Sequence, residues 1–286
     1  MTNYLEVKNL SKSFAGFQLH DITFSLPKGY IMGLIGPNGS GKTTTIKLIL
    51  NMLKRNSGEI KIMGLDNIAD EQTAKAEVGV VFDTNYFSDD WKVTQVEKSL
   101  SVFYPDWNSK RFAEMLRKFR ISPTRKVKEL SKGMQMNLMV ACAFSYDAKL
   151  LILDEPTSGL DPVSRDELLQ ILAEYIEDGE HSVLFSTHIT SDLERTADYI
   201  TYISYGNLYF SGSKDEFVDM FRIVKGGNEE LSSQLKSKAT GIRRFPTGFE
   251  ALLKNEYLGE FSHLSIEPAT IDEIVVFTSR KGEDYE

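Results

Sequence analysis

The sequence predicts an α/β fold built around a mostly parallel sheet, on two observations. Short aliphatic runs, Tyr30–Ile35, Val78–Phe82, Lys149–Leu153 and Ser182–Ser186, alternate with segments of helical period. That alternation marks strands joined by crossover helices. The second observation is a strand–loop–helix unit. Tyr30–Ile35 runs into Gly36, Pro37, Asn38, Gly39, Ser40, Gly41, Lys42 and Thr43, which fit G-x-x-x-x-G-K-[ST]. From Thr44 to Leu53, Ile46, Ile49, Leu50 and Leu53 share one helix face. Glycines let backbone N–H groups converge on an anion because no Cβ intrudes. The following helix turns its positive end to the same point. The loop is therefore expected to hold a nucleotide's phosphates, with Lys42 on the β- and γ-phosphates and the Thr43 hydroxyl on Mg²⁺.

In chain order, Tyr4–Val7 and Gln18–Leu26 read as short strands before the loop, with Pro27-Lys28-Gly29 as a turn. Phe14 and Phe17 fall in the first loop, as core packing or as a platform for a base. Glu59–Met63 is expected as a strand after the loop helix. Residues 83–147 change character. Trp91, Val96, Leu100, Phe103 and Tyr104 suggest a helix ending at Pro105, and Phe112, Met115, Leu116 and Phe119 a second amphipathic one. Gly133–Phe144 reads as a third, so a helical insert is expected inside the α/β unit. Lys149–Leu153 then runs into Asp154-Glu155-Pro156. An acidic pair at the carboxyl end of a buried strand lies where α/β folds bind ligands. Asp154 is a candidate to hold Mg²⁺ through water, and Glu155 a candidate base for an attacking water.

Arg165–Glu177 is expected as a helix and Ser182–Ser186 as a strand. His188 follows at the same sheet edge as Glu155, within reach of a γ-phosphate. Helix 189–198 and strands 199–204 and 207–211 close the unit. From Lys214, short strands at 223–224, 241–244 and 264–266 and helices at 216–221, 229–238 and 270–277 suggest a small α/β accessory domain, ending in a frayed GEDYE. The expected boundaries are 1–213 and 214–286, with the helical insert at about 84–147.

Lys plus Arg number 33 and Asp plus Glu 41, a net charge of −8, which argues against a broad cationic surface for nucleic acid. The single cysteine, Cys142, rules out an internal disulfide and, in an apolar run, reads as packing in a reducing compartment. The start, MTNYLEVKNL, has no apolar signal core. No stretch approaches the ~18 apolar residues of a membrane span. A soluble chain able to dock on a membrane protein is expected.

Leu130-Ser131-Lys132-Gly133-Met134-Gln135 precedes KLLILDEP by about one helix. With GPNGSGKT upstream, this order resembles the ATP-binding cassette (ABC) family over about residues 3–213. LSKGMQ is similar to the family's signature, usually LSGGQ; Ser158-Gly159-Leu160-Asp161 to its dimer-contact loop; His188 to its switch histidine. Phe14 falls where the family stacks an aromatic on adenine. The resemblance implies a P-loop NTPase fold with a mostly parallel core sheet, an N-terminal antiparallel β-subdomain, a helical insert and a small C-terminal α/β domain. It implies ATP and Mg²⁺, with Thr43, Asp154 and Asp83 at the metal. It also implies a dimer in which Ser131, Lys132 and Gly133 of one chain cover the γ-phosphate held by the other. Two positions depart from the family. Asp83 stands where Gln is usual, shorter and charged but able to reach the metal through water. Lys132 replaces a glycine and is expected to point to solvent.

The single cassette, Tyr104–Trp107 (YPDW) and the C-terminal IEPATIDEIVVF resemble the ABC-2-type exporter branch. The resemblance implies an ATP-hydrolysing subunit at the cytoplasmic face of the membrane. It would drive export of a peptide, drug or lipid through a separate transmembrane permease, paired as homodimer or heterodimer, with no nucleic acid. The permease would dock around Asp83–Thr94, with Tyr86, Phe87 and Trp91 as contacts or as local core. The alternatives are a soluble ABC protein on ribosomes or DNA, which would carry two cassettes or a coiled-coil insert, and a nucleotide-dependent regulator.

Overall fold

The computed structural model describes residues 2–104 and 106–279. The strands β1 (Asn3–Phe14), β2 (Phe17–Pro27) and β3 (Ile31–Ile35) come first, then α1 (Lys42–Ile49), β4 (Ser57–Ile62), β5 (Leu65–Asp66), α2 (Glu71–Ala76) and β6 (Val78–Val81). The insert holds α3 (Val93–Phe103), α4 (Ser109–Lys118) and α5 (Lys132–Ala143). The chain continues through β7 (Leu150–Asp154), α6 (Pro162–Ile176), β8 (Ser182–Thr187), α7 (Thr190–Thr196), β9 (Tyr199–Ser204) and β10 (Asn207–Ser213). The last part comprises α8 (Lys214–Asp219), β11 (Phe221–Gly226), α9 (Ser233–Lys238), β12 (Gly241–Phe245), β13 (Gly248–Lys254), β14 (Ser265–Pro268) and α10 (Ile271–Ser279). The expected helix end at Pro105 and the GEDYE terminus lie outside the described residues.

Ten strands form one sheet in the order β5-β4-β1-β2-β10-β9-β3-β8-β7-β6. β9, β3, β8, β7 and β6 pair in parallel, while β1, β2, β4 and β5 pair antiparallel. Strands covered on both faces must be apolar on both, and every residue of β3, β7 and β8 is buried. Their alternation sorts them between two cores. Ile31 and Ile35 join the insert and α6 on one face, whereas Met32 and Leu34 join α1 and the antiparallel strands on the other. Cys142 belongs to the first core, where burial pushes its thiol well up. It packs as a small apolar group.

Three sequence expectations change. β1 runs to Phe14 rather than stopping at Val7, because a half-exposed hairpin strand accepts the polar Lys8, Asn9, Ser11 and Lys12. Phe14 and Phe17 are therefore not in a loop; they pair across the turn Ala15-Gly16, where Gly16 has φ +82°. The helix expected to include Trp91 starts at Val93, with Trp91 in the preceding turn.

A second sheet, in the order β12-β13-β11-β14, is antiparallel throughout. Its β13 was not anticipated. Phe221, Ile223, Leu252, Ile271, Ile274 and Phe277 share a core with Leu193 and Tyr202 of the large sheet's layer. The smaller sheet thus packs onto the larger unit through apolar side chains.

Candidate functional site

Four of the five parallel strands, β3, β6, β7 and β8, carry residues onto one edge, the position where open α/β sheets bind ligands. After β3 comes the glycine loop, after β6 Asp83, after β7 Glu155 and after β8 His188. A cavity of about 630 Å³ opens there, lined by Asn38, Gly39, Gly41, Lys42, Thr43 and Thr44 of the loop, with Asp83, Glu155, Ser158 and His188. Its size lies in the ~300–1,000 Å³ range of small-molecule sites.

The loop's shape depends on close approach. At Gly36, φ is +153°, and a Cβ would fall 2.0 Å from the Ile203 carbonyl oxygen and 2.6 Å from Ser40 Oγ. Gly39 has φ +78° but faces open space. Gly36→Ala is thus expected to cost about 2 kcal/mol or more, against ~1 kcal/mol for Gly39→Ala, which meets only backbone strain. Thermal melting of the pair checks this: Gly36→Ala should lie several degrees below Gly39→Ala. Among the described residues, no side chain caps α1, whose N-cap is Gly41 at φ +113°. Its first-turn N–H donors remain for an anion. By contrast, Ser131 caps α5 by accepting from Met134 N at 3.2 Å. Asp161 caps α6 by accepting from Val163 N and Ser164 N, and the Ser164 hydroxyl beside it holds its carboxyl below the usual range.

Three polar side chains, those of Lys42, Glu155 and His188, meet in the cavity. Lys42 is buried, and its Nζ donates to Gly36 O at 2.8 Å and Pro37 O at 3.4 Å and lies 3.5 Å from Glu155 Oε1. The other carboxylate oxygen of Glu155 is 2.6 Å from His188 Nδ1. Glu155 adopts φ +51° although it precedes Pro156. Such a backbone costs roughly 1–3 kcal/mol and persists only where neighbours impose it. Ser186 imposes it: its Oγ accepts from Glu155 N at 2.9 Å and donates to Asp154 Oδ1 at 2.6 Å. Asp154 and Ser186 are register partners on β7 and β8. Asp154 Oδ2 is buried with no hydrogen-bond partner among the described residues. An orphaned carboxylate oxygen beside a phosphate loop suits a hydrated cation. With the Thr43 hydroxyl and Asp83 on the cavity wall, the residues present fit Mg²⁺.

Not every expected residue reaches the cavity. Phe17, not Phe14, lines it; Phe14 is exposed, its ring centroid 6.4 Å from that of Phe17. Gly36 and Pro37 line a neighbouring cavity, and Ser40 and Asp154 are buried and line neither. Ser131 and Gly133 line a separate pocket of about 330 Å³ with Gly159, Leu160 and Asp161. Lys132 is exposed, as expected, and lines the rims of both, its stem passing above Gly159. Ser186 carried no expected role, and Ser158, expected in the dimer-contact loop, also lines the nucleotide cavity. Only the β7–β8 register brings Ser186 to Asp154.

A phosphate-cradling loop on a parallel sheet, with a buried lysine and a carboxylate at the end of β7, one strand over from β3's neighbour β8, defines a P-loop ATPase. The family profile described as "ABC transporter" matches residues 19–158. The ABC transporter ATP-binding protein YtrB of Bacillus subtilis is 32% identical over 205 residues, covering 71% of this chain and 70% of that protein. Nod factor export ATP-binding protein I of Rhizobium leguminosarum bv. viciae is 28% identical over 250 residues, covering 82% and 79%. A solved ATP-binding subunit of an ABC transporter is 30% identical and superposes with a TM-score of 0.69 over 74% of this chain and 91% of its own. The chain belongs to the ABC transporter family and is one of its ATP-binding, ATP-hydrolysing cassettes. Among the described residues, no helix is long and apolar enough to cross a membrane.

Proposed function

We propose that the chain is the ATP-hydrolysing subunit of an exporter, bound at the cytoplasmic face of the membrane to a separate transmembrane permease and working as one half of a cassette pair. The observation that supports it most is the separation of the two surfaces. The nucleotide cavity holds Lys42, Glu155 and His188, whereas Ser131 and Gly133 line a different pocket of the same chain. A second cassette, identical or not, would bring its Ser131–Gly133 surface over the γ-phosphate. Residues 1–213 form the cassette in this reading, with the insert at about 84–147, and 214–286 the accessory domain.

The chemistry follows from the residues. The α1 N–H groups and Lys42 Nζ hold the phosphates, Lys42 exchanging its carbonyl contacts for phosphate oxygens. Thr43, Asp154 and Asp83 would hold Mg²⁺, which would supply charge neutralisation to the phosphates. Glu155 accepts the proton of the attacking water as its oxygen bonds to the γ-phosphorus and the bond to the β–γ bridging oxygen breaks, leaving ADP. His188 and Lys42 donate to the γ-phosphate oxygens as charge develops there. Phe17, with Phe14 behind it, offers the base an aromatic face. Loss of the γ-phosphate removes the contacts bridging the two cassettes, and their opening drives the permease.

The permease would seat on the insert. Tyr86 and Trp91 are 52% and 37% exposed and available, whereas Phe87 is buried in the insert's core. The export direction rests on the C-terminal resemblance and on the Nod factor relative. Affinity capture of the tagged chain from detergent-solubilised host membranes tests the role. A stoichiometric multi-span protein is expected. Reproducible capture of ribosomal or DNA-repair proteins alone would favour the soluble alternative.

A further inference from the structure

The C-terminal stretch IEPATIDEIVVF lies against the nucleotide site, although about 80 residues of chain separate it from His188. A capping box fixes its start: Thr270 N and Oγ1 both donate to Glu273 Oε2 at 2.8 Å, and Glu273 N donates to Thr270 Oγ1 at 3.2 Å. The box places Asp272 in the first turn of α10, while Ile271, Ile274 and Phe277 are buried at helical spacing. That apolar face shares a core with Leu193 of α7, so α10 lies along α7. There Thr190 Oγ1 donates to Asp272 Oδ1 at 2.9 Å. Thr190 is two residues beyond His188 and opens α7. At the far end of α10, Tyr202 OH lies 2.9 Å from Thr278 Oγ1 and 3.0 Å from Ser279 Oγ, and Tyr205 OH donates to Ser279 O at 3.2 Å. Between them a cavity of about 160 Å³ is walled by Gly36 and Pro37 of the phosphate loop, His188, Thr190, Val275 and Val276.

We propose that Asp272 is a positioning residue for His188, acting through Thr190, and that α10 is the brace by which the small sheet's unit holds the His188 loop at the phosphate. This rests on the reading of His188 as a γ-phosphate contact. The His188 side chain is 44% exposed and reaches Glu155 from a short loop. Packing around the imidazole does not fix its aim; the segment that carries it does. The bond at Thr190 anchors that segment from outside, and a donor displaced by about 1 Å loses much of its effect on a transition state.

The test is steady-state ATP turnover by the full chain, paired as it acts, with melting temperature followed alongside. Asp272→Ala is expected to lower kcat roughly three- to tenfold with little change in the KM for ATP. Asp272→Asn, which keeps an oxygen acceptor, should restore most of it. Thr190→Val should reproduce the loss, and the double variant should lose no more than either single one. In a His188→Ala background, Asp272→Ala should have no further effect. Wild-type kcat in Asp272→Ala, or a loss undiminished in the His188→Ala background, overturns the proposal while leaving the site reading intact. Wild-type turnover in His188→Ala itself removes both. A lowered melting temperature with unchanged turnover per folded molecule also overturns it.

Discussion

Glu155→Gln is expected to slow ATP turnover by roughly 10²–10⁴-fold, the usual worth of a placed general base, while nucleotide binding persists. The amide keeps the side chain's size and can accept from His188, but it cannot take the water's proton. The strained φ of +51° and the two bonds to Ser186 belong to the backbone, so the substitution leaves them in place. The exchange also removes the negative charge 3.5 Å from Lys42 Nζ. That charge competes with phosphate for the ammonium, so binding should hold or tighten. Single-turnover hydrolysis measures the first effect and calorimetry the second. Turnover at the wild-type rate would take Glu155 out of the base role.

Lys42→Ala is expected to act on the other quantity. Hydrogen bonds to charged groups contribute about 1.5–3 kcal/mol each, and Lys42 would give at least one to each of two phosphates. ATP affinity should fall on the order of 100-fold, at ~1.4 kcal/mol per tenfold. The loss leaves the half-buried Glu155 without its cation, so turnover falls too. Titration by calorimetry checks this; an unchanged dissociation constant would contradict the placement of phosphate at Gly36–Thr43.

What the sequence showed and hid divides by range of interaction. The phosphate loop, Asp154-Glu155 and His188 are legible because each is fixed by its neighbours in the chain: a buried strand, its end, and the residue types the chemistry needs. Phe14 and Phe17 differ by three residues, and which one lines the cavity depends on the register of the β1–β2 hairpin, which the polar Ser11-Lys12-Ser13 run conceals. Ser186 becomes meaningful only once β8 pairs with β7. Strand β13, GFEALLK, was invisible because Glu, Ala, Leu and Lys favour helix in isolation. It forms a strand because β11 and β12 flank it on both sides. The same holds for α10, whose helix was readable but whose place beside Gly36 and His188 was not.

The proposed mechanism turns on one chain's site being incomplete without another's Ser131–Gly133 surface. Sedimentation of Glu155→Gln, in which ATP binds without being consumed, tests that most directly. With saturating MgATP the species should be a dimer, reverting to monomer with ADP or on adding Ser131→Arg, which obstructs the covering surface. If the chain works only beside a different cassette, the same shift should appear when that partner is supplied. A monomer at saturating MgATP, alone and with every co-purified ATP-binding partner, would contradict the shared site and the transport cycle built on it.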